Sequence, residues 1–424
     1  MMKSRLCFFA FVILPLVVVQ ARAFENSDKL FAYLQDLYNR HDKNLHEFLL
    51  TELNQYVMQF PDGEKTAAAQ YLIAKVYQEK GDKQKAVAVF LKTIYLYPGS
   101  SWQQESANEA RKMISTDNAF KDKRAGLLPL VDGVAAGQNP ADRYFHYLNV
   151  AMALENPDAY AVIVTDAKKF LILFPEDTRQ DSVLKTIAEL YAKKGDKREA
   201  EASYLRLEYC CEDSPLLPYA RYNRGVILSK DLGDHKTAIQ VLSDLAARHP
   251  ESEYAAAAIL KMGEIKKEKT KDYAGAIADY RKVADSARDS AQAVEALWAI
   301  AEINTDRLKN YGEAIAAYQE IVDKHKSNKR AVAAFEKIGD VYKDKLADYN
   351  KAAEQYAKIA ETFPYYEKAP DLILKAGALC EDKLRDHGRA VGYYNIILEK
   401  FPKHKSAGEA RKRIEKTRAK TGQP

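Results

Sequence analysis

Residues 329–364 read KRAVAAFEKIGDVYKDKLADYNKAAEQYAKIAETFP. Phe335, Ile338, Val341 and Tyr342 fall at the i, i+3, i+6, i+7 spacing of one helix face. Asp348-Tyr349-Asn350 interrupts that face, and Ala352, Tyr356 and Ile359 begin another. An Asp or Asn at such a break caps the helix that follows. Pro364 cannot continue the second helix and biases Phe363 away from the helical region. The stretch is therefore helix, short turn, helix, stop. Gly339 is expected to let the two helices approach, with Ala352 facing it and Tyr356 filling the space towards the next unit.

The same arrangement recurs along the chain. Asp234-His235, Asp272-Tyr273, Asn310-Tyr311, Asp348-Tyr349 and Asp386-His387 are each 38 residues apart. A small residue recurs at Ala74, Ala188, Gly225, Gly263, Ala301, Gly339 and Gly377. An alanine follows each, from Ala86 to Ala390, and four residues later stands a ring or a leucine: Phe90, Tyr204, Leu242, Tyr280, Tyr318, Tyr356 and Tyr394. Prolines 98, 250, 364 and 402 close units. A fixed period of this size means stacked helical repeats, each burying the face that its neighbour leaves open. The fold class expected is all-α, a superhelical solenoid of about nine or ten antiparallel helix pairs.

In this setting Phe335-x2-Ile338-Gly339-x2-Tyr342, Ala352-x3-Tyr356 and Pro364 resemble the tetratricopeptide repeat, W-x2-L-G-x2-Y, A-x3-F, P. Ile73-Ala74-x2-Tyr77 with Ala86-x3-Phe90 and Pro98 is similar, as is Ile187-Ala188-x2-Tyr191 with Ala200-x3-Tyr204. The period of 38 exceeds the family's 34, so helices or turns must be longer. Lys266 and Asn304 replace the later tyrosine in two units. The resemblance covers roughly residues 44–402.

The organisation expected is a signal peptide at 1–23, an N-terminal capping helix at 24–43, repeats at 44–98, degenerate helical repeats at 99–175, regular repeats at 176–402, and a basic capping helix and tail at 403–424. Within the degenerate part, helices are expected at 101–115, 124–136 and 140–154. No glycine- or serine-rich linker divides the chain, so one elongated domain is the simplest reading.

Lys3 and Arg5, the apolar run from Leu6 to Val19 and the small-x-small site Ala21-Arg22-Ala23 read as a secretory signal cleaved after Ala23. Cys7 stands at the start of the apolar run and not after it, unlike a lipoprotein signal. The periplasm is the expected destination. The formal charge of +5 is uneven: the signal contributes +3, residues 400–424 contribute +7, and the rest carries −5. The basic end reads first as a solvated cap and second as a contact for anionic lipid headgroups. Nucleic acid is not an expected partner of an exported chain.

After the signal the cysteines are Cys210, Cys211 and Cys380. Adjacent cysteines stand closer than an ordinary disulfide spans, and Cys380 takes a core column four units away. Packing, not disulfides, is expected to hold the array. His41 and His46 lack further His or Cys at ligand spacing, and His235 and His387 are four repeats apart, so no metal site is expected. No Gly-x-Ser-x-Gly elbow, phosphate loop or dinucleotide fingerprint occurs. No cofactor and no enzymatic activity are expected.

In solenoids of this family the first helix of each pair lines the concave face. The positions three before and one after the small column are then the groove candidates: Tyr71, Lys75, Lys185, Glu189, Tyr222, Glu264, Trp298, Glu302, Glu336 and Asp340. They suggest an acidic-leaning groove with aromatic anchors, Trp298 foremost, although Trp298 could equally pack between units. Arg221 and Arg224 occupy usually apolar positions, through a local rotation or a buried carboxylate partner. The expected function is a periplasmic scaffold that binds a protein or peptide of the cell envelope, in assembly, secretion or transport. The alternative is an accessory protein that binds exopolysaccharide or cell-wall glycan.

Overall fold

The computed structural model describes residues 14–132, 139–286 and 291–421, with side chains described from Ser27 to Ala419 within them. The expected signal, 1–23, lies outside the residues whose side chains are described. The described residues form helices and turns without strands. No helix among them is long and apolar enough to cross a membrane. By contacts the chain divides into two compact units, Met1–Leu217 and Pro218–Pro424.

In the first unit, Leu14–Asn39 precedes His46–Gln59, and Glu64–Glu79 pairs with Lys83–Leu96. Lys83–Leu96 is the centre. Every residue from Ala86 to Tyr95 is buried, because Glu64–Glu79, Ser101–Thr116, Pro140–Met152 and Pro157–Leu173 all pack on it. Its sequence, AVAVFL followed by Lys92, is apolar around the whole helix, the mark of a helix covered on all sides.

The stretch expected as a helix over 124–136 is α-helical only at Arg124–Leu127 and then tightens into a 3-10 turn, Leu128–Asp132. Pro129 offers no N–H to an α-helical ladder. Arg124 also ties this corner back by donating to the carbonyls of Ile114 and Asp117, at 2.8 and 3.3 Å. Residues 133–136 of that expectation lie outside the described residues. The helices Pro140–Met152 and Pro157–Leu173 each begin with proline behind an asparagine cap, Asn139 and Asn156. Proline is pre-set for this first position. Gln180–Lys194 and Lys197–Cys210 form the last pair.

The second unit holds five helix pairs and a closing helix among the described residues. First helices run over Leu217–Lys230, Glu253–Ile265, Ala291–Glu302, Lys329–Asp340 and Ala369–Leu379; the partners begin at His235, Tyr273, Tyr311, Tyr349 and His387. The last four first helices widen into π turns: Lys266–Thr270, Ile303–Leu308, Val341–Lys345 and Cys380–Leu384.

Those turns explain the recurring mark. The residue before each Asp or Asn has positive φ: Gly81, Gly195, Gly233, Lys271, Lys309, Ala347 and Arg385. At Gly81 and Gly195 the next N–H closes back five residues, from Asp82 to Tyr77 and from Asp196 to Tyr191, both at 2.9 Å. In the second unit it closes back six, as from Asp348 to the Tyr342 carbonyl at 2.8 Å. This turn is one residue wider than those at Gly81 and Gly195. The aspartates then cap the second helices as expected: Asp234, Asp272, Asp348 and Asp386 each accept the N–H three residues on, at 2.9–3.1 Å.

The small column is also specific about its partner. A Cβ placed on Gly339 would meet Tyr356, and the same holds for Gly225 with Leu242, Gly263 with Tyr280 and Gly377 with Tyr394. The expectation that Ala352 faces Gly339 is thus corrected: the flat of the Tyr356 ring lies on the glycine. Glycine and partner side chain, a tyrosine ring in three cases and Leu242 in the fourth, are 17 residues apart throughout. Cys380 is buried as expected, and Cys210, Cys211 and Cys380 are all free thiols.

The closing helix, Lys405–Thr421, buries Ala407, Ala410 and Ile414 against the preceding pair. Its Arg413 reaches Glu381 and Glu409, both at 3.2 Å.

Candidate functional site

Four of the ten groove candidates meet at one cavity of the second unit. Tyr222, Glu264, Trp298 and Glu302 line a space of about 530 Å³ together with Leu260, Lys261, Lys267, Tyr280, Gln292, Glu295 and Arg330. First helices carry most of this lining, because residues 38 apart on stacked repeats face the same way. Trp298 is half-buried. Its indole N–H donates to Glu302 Oε1 at 2.7 Å, and its ring meets Tyr318 edge-on at 5.2 Å. The Arg330 guanidinium lies 5.7 Å from the Trp298 ring. Trp298 therefore does both things considered from sequence: it packs on the next helix and presents a face to the cavity.

The charge at this cavity is mixed rather than acidic. Glu264, Glu295 and Glu302 face Lys261, Lys267 and Arg330. Lys261 binds Glu264 at 2.9 Å, and Lys267 reaches Glu302 at 3.4 Å. Gln292 and Glu295 hold no hydrogen-bond partner among the described residues. Such a surface offers aromatic faces and exchangeable polar groups together.

Glu336 and Asp340 lie further along the same unit and are engaged within the chain. Tyr366 donates to Glu336 at 2.8 Å, and Tyr356 donates to Asp340 at 2.6 Å. Burial first, and these carboxylates second, hold the Tyr356 phenol well above its ordinary value. Burial raises Tyr280 and Tyr318 as well, followed by other carboxylates: Glu264 and Glu268 for Tyr280, Glu302 and Asp306 for Tyr318. These tyrosines are hydrogen-bond donors at any physiological pH, not acids. Arg221 meets His249 Nε2 at 2.9 Å. Burial and the arginines Arg221 and Arg248 lower the His249 pKa, which favours the neutral ring as acceptor.

The remaining four candidates stand in the first unit. Tyr71 stacks against Trp102 at 4.9 Å and Phe90 at 5.7 Å. Burial, then Glu109 and Glu105, push its phenol up to about 12. Lys75 pairs with Glu109 at 3.3 Å. Lys185 and Glu189 pair with each other at 3.7 Å, one helical turn apart.

Sequence reasoning missed Lys261, Gln292, Glu295 and Arg330. The signal was present: Lys261 and Glu295 lie one turn before Glu264 and Trp298 on the same helix face, and Gln292 and Arg330 share one column of the period.

A repeated helix pair that buries a ring on a small residue and opens a mixed polar cavity defines a helical-repeat binding scaffold. Family models described as tetratricopeptide repeat match residues 68–100 and 219–252, and, in a second model, 268–338. The chain carries tetratricopeptide repeats over these stretches. Repeats of this family generally mediate contacts between proteins. A sequence comparison with curated proteins returns no match. Among solved structures the chain is similar to PilW, a type IV pilus biogenesis factor, at 16% identity over 56% of this chain and 100% of that one, with a TM-score of 0.34. It is similar to the C-terminal part of a TPR repeat-containing protein from Cytophaga hutchinsonii, at 14% identity over 72% and 98% of the two chains, with a TM-score of 0.38. A third likeness is to the TPR domain of P58(IPK), at 17% identity over 84% and 98%, with a TM-score of 0.27.

Proposed function

We propose that this chain is a non-catalytic periplasmic scaffold that holds an extended segment of a protein partner of the cell envelope, in assembly, secretion or transport. The observation that carries this reading is the cavity around Trp298. It combines the indole and phenol faces of Trp298, Tyr222 and Tyr280 with three carboxylates and three cations. Aromatic side chains supply contact area at little entropic cost and are enriched at binding hot spots. The unpartnered Gln292 and Glu295 can hydrogen-bond the N–H groups of an extended peptide, which needs partners along its length. The periplasmic address rests on the sequence of residues 1–23, and N-terminal sequencing of the exported chain should begin at Phe24.

A photo-crosslinking residue placed at position 298 tests the scaffold reading in whole cells. A discrete protein adduct is expected there, absent when the same group replaces Tyr365, which is fully exposed elsewhere. Arg330→Glu should abolish the adduct. No adduct at position 298, or glycan binding that Trp298→Ala abolishes, would overturn the protein-partner reading.

A further inference from the structure

The first unit contains a second cavity of different chemistry. It measures about 470 Å³, within the range of about 300–1,000 Å³ typical of small-molecule sites. Four helices build it: His46–Gln59, Lys83–Leu96, Pro140–Met152 and Pro157–Leu173. Its walls are apolar, with Val57, Leu96, Tyr144 and Phe174 among them. Met58, Ile172 and Leu173 form part of its lining although they are 69%, 76% and 52% exposed. Three large apolar side chains left in water around one opening mark a site that something apolar covers.

The charged groups at this cavity are mostly cationic: Lys92, Arg143 and Lys169 against Asp62. Behind the wall, Asp166 is buried and fully engaged. Lys92 donates to its Oδ1 at 2.6 Å and Tyr147 to its Oδ2 at 2.8 Å. Lys169, one turn on from Asp166, has no hydrogen bond or ion pair among the described residues. Burial, and next the Lys92 ammonium, lower its pKa. A half-buried ammonium in an apolar wall, whose neighbouring carboxylate Asp166 is already bonded by Lys92 and Tyr147, has room for an anion of its own.

We propose that this cavity binds the anion of a long-chain carboxylic acid, with the hydrocarbon chain between the apolar walls and the carboxylate at Lys169. A peptide fits less well. Most of the lining is helical, Pro61, Asp62, Tyr97 and Phe174 excepted, so most of its backbone N–H and C=O groups are committed to their own ladders. A peptide backbone enclosed here would leave its polar groups unpaired, whereas an alkyl chain carries none. The site belongs to a different unit from the Trp298 cavity and stands or falls independently of it.

Titration calorimetry of the full chain with dodecanoate below its micellar range tests the proposal, with dodecanol as the neutral probe. Saturable one-to-one binding of dodecanoate is expected, roughly tenfold tighter than dodecanol, the change due to one charged contact. Lys169→Gln should remove that tenfold preference and leave dodecanol binding unchanged. Ile172→Asp, a surface change at the opening, should weaken both probes with the thermal melt unaltered. Absence of saturable binding, equal affinity for the two probes, or an unchanged preference in Lys169→Gln would overturn the proposal. So would a dimer that Ile172→Asp dissociates in the absence of dodecanoate binding, or Lys169-dependent binding of an acidic apolar peptide in its place.

Discussion

Gly339→Ala sets two opposing effects against each other in one helix. Alanine is the better helix former, by about 1 kcal/mol in an interior position. Yet its Cβ would stand 2.7 Å from Tyr356 Cδ1 and 2.8 Å from Cζ, with Cε1 closer still, where ordinary contact begins near 3.4 Å. The ring cannot swing outwards, because Tyr356 is wholly buried and its hydroxyl is held by Asp340 at 2.6 Å. Overpacking of this kind costs about 1–3 kcal/mol, and a hydrogen bond to a charged group about 1.5–3 kcal/mol if lost entirely. With the bond partly kept, the balance is a loss of about 2 kcal/mol. Gly392, exposed inside the helix His387–Lys400 with nothing near its Cβ position, is the internal control. Gly392→Ala should gain about 1 kcal/mol. Repeat arrays need not unfold in one step, so urea melts should be joined by hydrogen exchange in helices Lys329–Asp340 and Tyr349–Ala357. Opposite signs for the two substitutions are expected. A stabilised Gly339→Ala would refute the ring-on-glycine account of the small column.

The positive-φ column gives a second sign test. Ala347 sits at φ 51° with an exposed side chain, so Ala347→Gly should stabilise by about 0.5–1 kcal/mol, whereas Gly233→Ala, at φ 71°, should lose about as much; urea midpoints of the two variants check both. In the first unit, Lys92→Met removes the ammonium bonded to the buried Asp166 and leaves Tyr147 as its hydrogen-bond donor among the described residues, and a loss of about 3–5 kcal/mol is expected. Adding Asp166→Leu should recover most of that loss in the same melt, since a buried pair replaced by apolar groups is often neutral.

Much of the second unit was legible because its signals are local. Asp348 caps a helix three residues ahead, Pro364 stops one, and Phe335, Ile338 and Val341 share a face; each statement needs only neighbouring residues. The π turns were not legible. They end on lysine, alanine or arginine in the left-handed region, where sequence reasoning looks for glycine, so only Gly81, Gly195 and Gly233 carried the signal. The partner of Gly339 was misjudged because periodicity gives the face of a residue but not the reach of a ring from the facing helix. The first unit was less legible for another reason. The all-round apolar run Ala86–Leu91 indicates a helix covered on every side, yet which helices cover it depends on contacts far along the chain, such as Lys92 with Asp166. A buried lysine inside an apolar helix breaks the local rule, and such breaks tend to fall where a protein has work to do.

The period itself separates frame from function in the second unit. Glu264, Glu302 and Asp340 repeat one after the small column. Their repetition has an internal explanation in two units: Glu302 accepts the Trp298 indole, and Asp340 accepts the Tyr356 hydroxyl. A feature that recurs every 38 residues also cannot tell a bound segment where to stop, since sliding by one unit would offer the same contacts again. Register needs something singular. Trp298 stands in a column otherwise occupied by Tyr222, Leu260, Glu336 and Leu374, and Arg330 in one that holds Tyr254, Gln292 and Lys368. These aperiodic residues converge on one cavity. The repeating acids are thus groups that build the array, while Trp298 and Arg330 are the groups by which a partner would find its single place on it. Swapping the two classes separates them: Asp340→Asn should act on stability through Tyr356, and Arg330→Glu on binding alone.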